Sequence, residues 1–317
     1  MTKGIHHITA IAGPPQDNLD FYTRILGLRF VKRTVNFDDP YTYHLYYGDA
    51  IGHPGGVLTF FPWSNIKKGK NGLGLATVTG FIIPEGSIDF WMEHFAQHAW
   101  DFDPPAERFG KPYLRIVDND GMFIDLVESA PPENYKHWEQ SPIYEDHAIR
   151  GFHHSNLMVR DSDKTARVLT DLLGFDLQGQ ESEILRFSHN SNDSGQIIDI
   201  QQDESSASPG RMGKGIIHHI AFRVPDEDSQ SEIREKILEA GHNPTPVIDR
   251  QYFKSVYFRE PNGILFEIAT DEPGFLIDEE EAHLGESLRL PEWHESRREE
   301  IEQRLPDLKM SNRLVQN

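Results

Sequence analysis

The chain has 317 residues, 37% hydrophobic and 26% charged, with 19 Phe, 10 Tyr and 5 Trp: enough bulky material for about two domains, and too much for a disordered polymer. Its 31 Lys and Arg against 51 Asp and Glu give a formal charge of −20, which argues against nucleic acid and anionic membrane surfaces as partners. With zero cysteines it offers no disulfide, no thiolate nucleophile and no Cys-ligated metal site, so any metal must rest on His, Asp, Glu or water.

The N-terminus lacks the apolar stretch of a signal peptide, and no run approaches the roughly 18 apolar residues of a membrane span, so a cytoplasmic protein is expected. One low-identity unit then recurs four times: an opening strand, a helix, and further strand-like runs closed by a Gly-led strand. The first opens at Ile5 to Ala12, continues in a helix over Asn18 to Gly27 with apolar residues at Leu19, Tyr22, Ile25 and Leu26, and closes at Gly55 to Pro62. The second opens at Leu75 to Pro84, has a less regular helix from about Ser87 to Ala99, and closes at Gly121 to Glu128 after the turn Asp118-Asn119-Asp120-Gly121. The third comprises Gly151 to Val159, a helix over Asp163 to Gly174, and Gly195 to Gln201. The fourth comprises Gly215 to Val224, a helix over Asp228 to Gly241, and Gly263 to Thr270 after Glu260-Pro261-Asn262-Gly263. Three helices end at a glycine suited to the left-handed stop position.

The expected class is α+β: four βαβββ modules in two lobes, each a cup-shaped half-barrel of mixed sheet. Modules one and two form the first lobe, 1–130; the proline-bearing stretch 131–150 is the linker; modules three and four form the second lobe, 151–270. Residues 271–317 hold 13 Asp and Glu against 6 Lys and Arg and read as an acidic tail, a solvated face or a segment ordered by packing, with no chemistry assigned to it.

Three opening strands carry a His-His pair: His6-His7, His153-His154 and His218-His219. Side chains alternate across a strand, so one member of each pair is expected on a given face. In module four Ile216, His218, Ile220, Phe222 and Val224 form the greasier face, which turns His219 to the concave side. Glu267 stands between Leu265 and Ala269 in the closing strand, and a carboxylate among apolar neighbours is costly unless it meets a cation or a donor. His219 and Glu267 thus share one pocket on this reading, and His7 and His154 compete for a third place that pattern does not assign. A lone strand histidine is more often a core or surface residue than a ligand, but three at repeat-equivalent positions reverse that expectation. His44, His53, His94 and His98 are expected to be structural or solvent-exposed.

The succession IHHIT, VKRTVNFDDPYTYHLYYGD, PGGVLTFFPW, GFHHSNLMV, GIIHHIAFRV and FEIAT closely resembles the vicinal oxygen chelate superfamily, and within it the ring-cleaving dioxygenases that act on hydroquinones. The likeness spans nearly the whole chain. It implies metal ligands at His7, His219 and Glu267; the extradiol catechol dioxygenases would instead imply His154 as the first histidine. Two imidazoles and one carboxylate are the facial triad of non-haem Fe(II) oxygenases, for which Mn(II) is a close substitute. Related glyoxalases generally use a fourth ligand, at whose place this chain has Thr59. The resemblance further implies O₂ and a small aromatic diol as reactants and Tyr257 and Arg250 near the substrate oxygen; by position, His6 and His218 are candidate donors beside the ligands, and Thr9, on the strand face of His7, is a further catalytic candidate. Phe60, Phe61 and Trp63 suit a flat aromatic ligand and suit a core equally. Other readings of the same fold are a non-redox isomerase or thiol transferase and a ligand-sequestering protein. A homo-oligomer is compatible with the sequence.

Overall fold

The computed structural model describes residues 1–189, 191–203 and 208–310. Module one contributes β1 (Ile5–Ala12), α1 (Pro15–Asp20), β2 (Arg29–Asn36), β3 (Asp39–Gly48) and β4 (Val57–Pro62). Module two has β5 (Leu75–Ile83), α2 (Ile88–Gln97), β6 (Ala106–Arg108), β7 (Lys111–Val117) and β8 (Phe123–Glu128). Module three has β9 (Phe152–Val159), α3 (Ser162–Arg167), β10 (Asp176–Glu181), β11 (Ile184–Ser188) and β12 (Ile197–Gln202). Module four has β13 (Ile216–Val224), α4 (Glu227–Glu239), β14 (Ile248–Asp249), β15 (Lys254–Arg259) and β16 (Leu265–Thr270).

The helices follow their apolar spacing. Asp226 caps α4 by accepting a bond from the Ser229 N–H at 2.8 Å, and Ile233 and Ile237 are buried one turn apart. The first helix starts at Pro15, earlier than its apolar spacing indicates, because proline suits the first helical position. α1 and α3 each run into a π-helical turn, Phe21–Ile25 and Val168–Leu173, and the latter stops at the left-handed Gly174.

Two eight-stranded mixed sheets result, in the orders β14-β15-β16-β13-β1-β4-β3-β2 and β10-β11-β12-β9-β5-β8-β7-β6. Each sheet therefore joins a sequence-distant pair, modules one with four and modules two with three. This corrects the expectation that modules one and two share one lobe and modules three and four the other. The opening strands are the deciding contacts: β1 pairs antiparallel with β13, and β5 with β9, along most of their length. An opening strand hydrogen-bonds its own closing strand on one edge and leaves the other edge open, so its unpaired backbone groups require a partner module. One large hydrophobic core runs through the molecule, and a smaller cluster of Val31, Tyr46, Val57, Ala221, Tyr252, Phe253, Ala269, Phe275 and Leu284 lies apart from it.

The acidic segment after Thr270 is ordered by packing as far as Met310; its last seven residues, 311–317, lie outside the described residues. Leu290, Ile301 and Leu305 join the main core, and Tyr41 donates to Glu300 Oε1 at 2.6 Å. Among the described residues no helix is long and apolar enough to cross a membrane.

Candidate metal centre and its pocket

Register brings three side chains to one point of the first sheet. His7 on β1 lies opposite Ala221 on β13, Ala221 lies opposite Glu267 on β16, and His219 follows two residues before Ala221 on the same face. Glu267 Oε2 is 2.9 Å from His219 Nε2 and 3.3 Å from His7 Nε2, and the ligand atoms of the three residues lie within 4.8 Å of one another. All three are buried, Glu267 completely. Ser255 donates to the other carboxylate oxygen, Oε1, at 2.5 Å, whereas among the described residues Oε2 has no hydrogen bond of acceptable geometry. Burial alone would push the Glu267 carboxyl up, but the facing His7 and His219 outweigh it and hold the group well below the usual carboxylate range.

The strict alternation expected within each His-His pair is relaxed by β-bulges. The register between β1 and β13 shifts once between Ile5 and His7 and again between Thr9 and Ala10, which places the extra residues at His6 and His218. In consequence His6 Nδ1 lies 2.9 Å from His7 Nδ1, and His218 Nδ1 lies 2.8 Å from His219 Nδ1. Each candidate ligand thus has its far ring nitrogen held by the preceding histidine and its Nε2 turned to Glu267, the arrangement that fixes tautomer and ring orientation in metal sites. Burial holds His6 and His218 neutral, the latter pushed down to about 3, so each can accept the neighbour's N–H.

Above the triad opens a narrow cleft lined by His7, His219, Phe253, Arg250, Tyr257 and Phe61, with His44, Tyr46 and the residues Asn36 to Asp38 between β2 and β3. Tyr257 pairs with Glu267 across β15 and β16, and its ring meets that of His219 edge-on at 5.6 Å. Burial and the Glu267 charge push the Tyr257 hydroxyl well up, against the opposing pull of Arg250. The Arg250 guanidinium lies 5.5 Å from the Tyr257 ring and donates to Asp38 Oδ2 at 3.0 Å. Desolvation works against its charge, but Tyr257 and Asp38 outweigh it. Phe253 sits against both His6 and His7, at 5.1 and 4.8 Å between ring centroids. Of the three aromatics in and after β4, Phe61 faces the cleft, Phe60 is buried in the main core, and Trp63 donates to Asp39.

His44, expected to be structural or solvent-exposed, lies beside the candidate site, as does Tyr46, to which the sequence assigns no role. Both line the cleft, with His44 accepting or donating between the Tyr46 hydroxyl and Thr59 Oγ1, each at 2.8 Å. The available signal is the alternation Thr42, His44, Tyr46 along β3, a polar-tipped face in a strand otherwise rich in buried aromatics. Its meaning depends on Tyr46 pairing with Thr59 and Thr59 with Thr9, a long-range register. Thr9 bonds Thr59 at 2.8 Å and is fully buried.

The second sheet has the equivalent cup, differently furnished. His154 lies opposite Gly80 as His7 lies opposite Ala221, but Val78 stands where the first cup has His219, and Asp125 where it has Glu267. A Cβ on Gly80 would fall 2.2 Å from His154 Nδ1, so glycine makes room for this ring. Arg115 and Arg186 pair two-pronged with Asp125 and Asp199, while Arg108 Nη1 sits 3.4 Å from His154 Nε2 and 3.7 Å from Asp125 Oδ2. A guanidinium thus fills this cup, and His153 and His154 belong to the other sheet from Glu267.

The first cup suits a divalent metal on the chemistry of its donors: two imidazole Nε2 atoms with fixed far sides and one buried carboxylate oxygen that lacks a hydrogen-bond partner among the described residues. The family model described as Glyoxalase/Bleomycin resistance protein/Dioxygenase superfamily matches residues 4–126 and 151–268. A protein of Bacillus subtilis (strain 168) named "Putative ring-cleaving dioxygenase MhqO" is 43% identical over 307 residues, covering 96% of each chain. The "Chlorohydroquinone/hydroquinone 1,2-dioxygenase" of Sphingobium indicum is 30% identical over 94% of each chain. A crystal structure titled as a "putative dioxygenase" from Bacillus subtilis superposes with a TM-score of 0.93 at 42% identity, covering 97% of this chain and 98% of that one.

Proposed function

This chain belongs to the Glyoxalase/Bleomycin resistance protein/Dioxygenase superfamily, and from that premise we propose that it opens hydroquinone-type aromatic rings with O₂, using Fe(II) held by His7, His219 and Glu267. The observation that carries the reading is the buried, unbonded Glu267 Oε2 between two imidazole Nε2 atoms, at the foot of a cleft partly walled by aromatic rings. The names of full-length relatives at 43% and 30% identity support the reaction and substrate class. Thr59, in place of a fourth carboxylate, supports oxygen chemistry over isomerisation, because a three-ligand metal keeps positions open.

Held there by His7, His219 and Glu267, Fe(II) would supply Lewis acidity toward a phenol oxygen and the one-electron chemistry that O₂ requires. The remaining work falls to the chain. Arg250, a fixed cation at the cleft wall, favours the ionised form of a phenol bound beside it. Tyr257 remains protonated and donates its O–H to negative charge developing on the substrate oxygen. His6 and His218 hold His7 and His219 with Nε2 facing the metal. Phe253 and Phe61 bound the space for a flat ring and keep water from it.

The test is oxygen uptake by anaerobically purified protein loaded with Fe(II), with 2-methylhydroquinone and separately with catechol, against the metal-free chain. Iron-dependent uptake with hydroquinone supports the proposal, and Mn(II) loading in parallel assigns the metal. No uptake with either substrate, from protein carrying one metal per chain, would overturn it in favour of a non-redox isomerase.

A further inference from the structure

The polar face of the first cup extends past the three candidate ligands into a chain that the reaction above leaves unused. The Tyr46 hydroxyl is 2.8 Å from His44 Nδ1, His44 Nε2 is 2.8 Å from Thr59 Oγ1, and Thr59 Oγ1 is 2.8 Å from Thr9 Oγ1. Thr9 follows His7 by two residues on the same strand face and pairs with His219, so the chain ends on the face, and at the register, of the two imidazoles. It also mirrors the opposite half of the sheet. Tyr46 pairs with Thr59 as Tyr257 pairs with Glu267, and His44 bonds Thr59 as Ser255 bonds Glu267.

Four groups joined by three links carry four hydrogens when His44 is neutral, and burial of His44 holds it neutral. One hydrogen is therefore left over at one end, on Tyr46 or on Thr9. Phenol is the most acidic donor in the series and an imidazole nitrogen the best acceptor, so the favoured first link is Tyr46 O–H donating to His44 Nδ1. That puts the histidine proton on Nε2, makes Thr59 its acceptor, and turns the Thr59 O–H to Thr9. The surplus hydrogen is then that of Thr9, whose side chain is fully buried and bonds only Thr59 among the described residues. A buried hydroxyl hydrogen seeks an acceptor.

We propose that Tyr46, His44 and Thr59 are positioning residues that fix the polarity of this chain and present Thr9 as a hydrogen-bond donor to an anionic oxygen bound beside His7 and His219. The identity of that oxygen as a substrate's rests on the dioxygenase reading; the polarity of the chain does not.

The experiment uses ¹⁵N-histidine-labelled full-length protein loaded with diamagnetic Zn²⁺, the His44 signals being assigned by their loss in His44→Gln. Expected is a neutral His44 protonated on Nε2 and bare on Nδ1. Thr59→Ser keeps that signature, whereas Tyr46→Phe and Thr59→Val each lose it and populate both tautomers. In the Fe(II)-loaded oxygen-uptake assay, Tyr46→Phe and Thr59→Val lower kcat about tenfold, in the range seen for residues that orient others around a metal, and Thr59→Ser restores it. A His44 protonated on Nδ1 in the parent protein reverses the chain and overturns the proposal, as does a Thr59→Ser variant indistinguishable from Thr59→Val. Absence of oxygen uptake in the parent protein defeats the dioxygenase reading while the tautomer measurement still decides the polarity.

Discussion

The Lys32 ammonium lies 2.5 Å from Glu279 Oε2 with both side chains out of contact with water, and it also reaches Asp278 Oδ1 at 2.6 Å and the Phe275 carbonyl at 3.1 Å. This pairing fastens the acidic segment to β2 at the cup that holds the candidate metal centre. Asp278 in turn accepts from Tyr252 at 3.0 Å, Phe275 meets both Tyr46 and Tyr252 at 5.2 Å, and the adjacent Phe253 braces His7. Lys32→Met strands two carboxylates, one of them almost fully buried, and is expected to cost about 3–5 kcal/mol, the range for breaking a buried ion pair from one side. Urea unfolding measures this, and a loss below about 1 kcal/mol would show that the pair is spectator rather than fastener.

Ser255 addresses the oxygen of Glu267 that does not face the imidazoles. Its removal in Ser255→Ala frees the carboxylate to rotate, so metal affinity is expected to fall about 10–100-fold with the fold intact. Competition against a chelator reads the affinity, and an unchanged value removes Ser255 from the metal's support.

Tyr257→Phe keeps the aromatic ring against His219 and deletes only the hydroxyl. Metal content is expected to stay at the parent level while turnover falls at least about tenfold, within the range for general acid–base groups. Elemental analysis and oxygen uptake on the same preparation separate the two quantities, and undiminished turnover would exclude the hydroxyl from the reaction.

The second cup predicts the metal stoichiometry. Arg108 already places a positive charge against His154, Asp125 and Asp199, and the second imidazole is replaced by Val78. One divalent ion per chain is expected by elemental analysis after saturation and desalting, and two would show that the guanidinium yields its place.

Acid should destabilise the metal-free protein earlier than carboxylate chemistry alone would. Burial lowers His6, His44, His153, His154 and His219, and pushes His189 down to about 4. An unfolded histidine titrates near about 6.5, so below that value the unfolded chain binds protons that the folded chain refuses. The stability these residues permit is complete above about 6.5 and declines as pH falls toward their folded values. Tm is expected to drop between pH 7 and 5, with a shallower slope in His189→Gln; a flat Tm over that interval contradicts the assignment.

Much of this molecule was legible in its residues. Alternation placed His219 and Glu267 on one face of module four, the glycine stops at Gly174 and Gly241 bounded two helices, and four similar units implied four βαβββ modules, because strand and helix periods are local properties of the chain. Which modules share a sheet is not local. A proline-bearing linker separates modules two and three in sequence, yet β5 and β9 join them, since pairing depends on open strand edges meeting in space. For the same reason His7 rather than His154 faces Glu267, and bulges at His6 and His218 bring neighbouring imidazoles together that simple alternation would hold apart. The place of His44 and Tyr46 beside the site, and of Lys32 beneath the acidic segment, likewise belongs to tertiary structure: His44 and Tyr46 bond each other locally, but what puts them at the site is Thr59, 13 or more residues on, and Lys32 meets Glu279 across most of the chain.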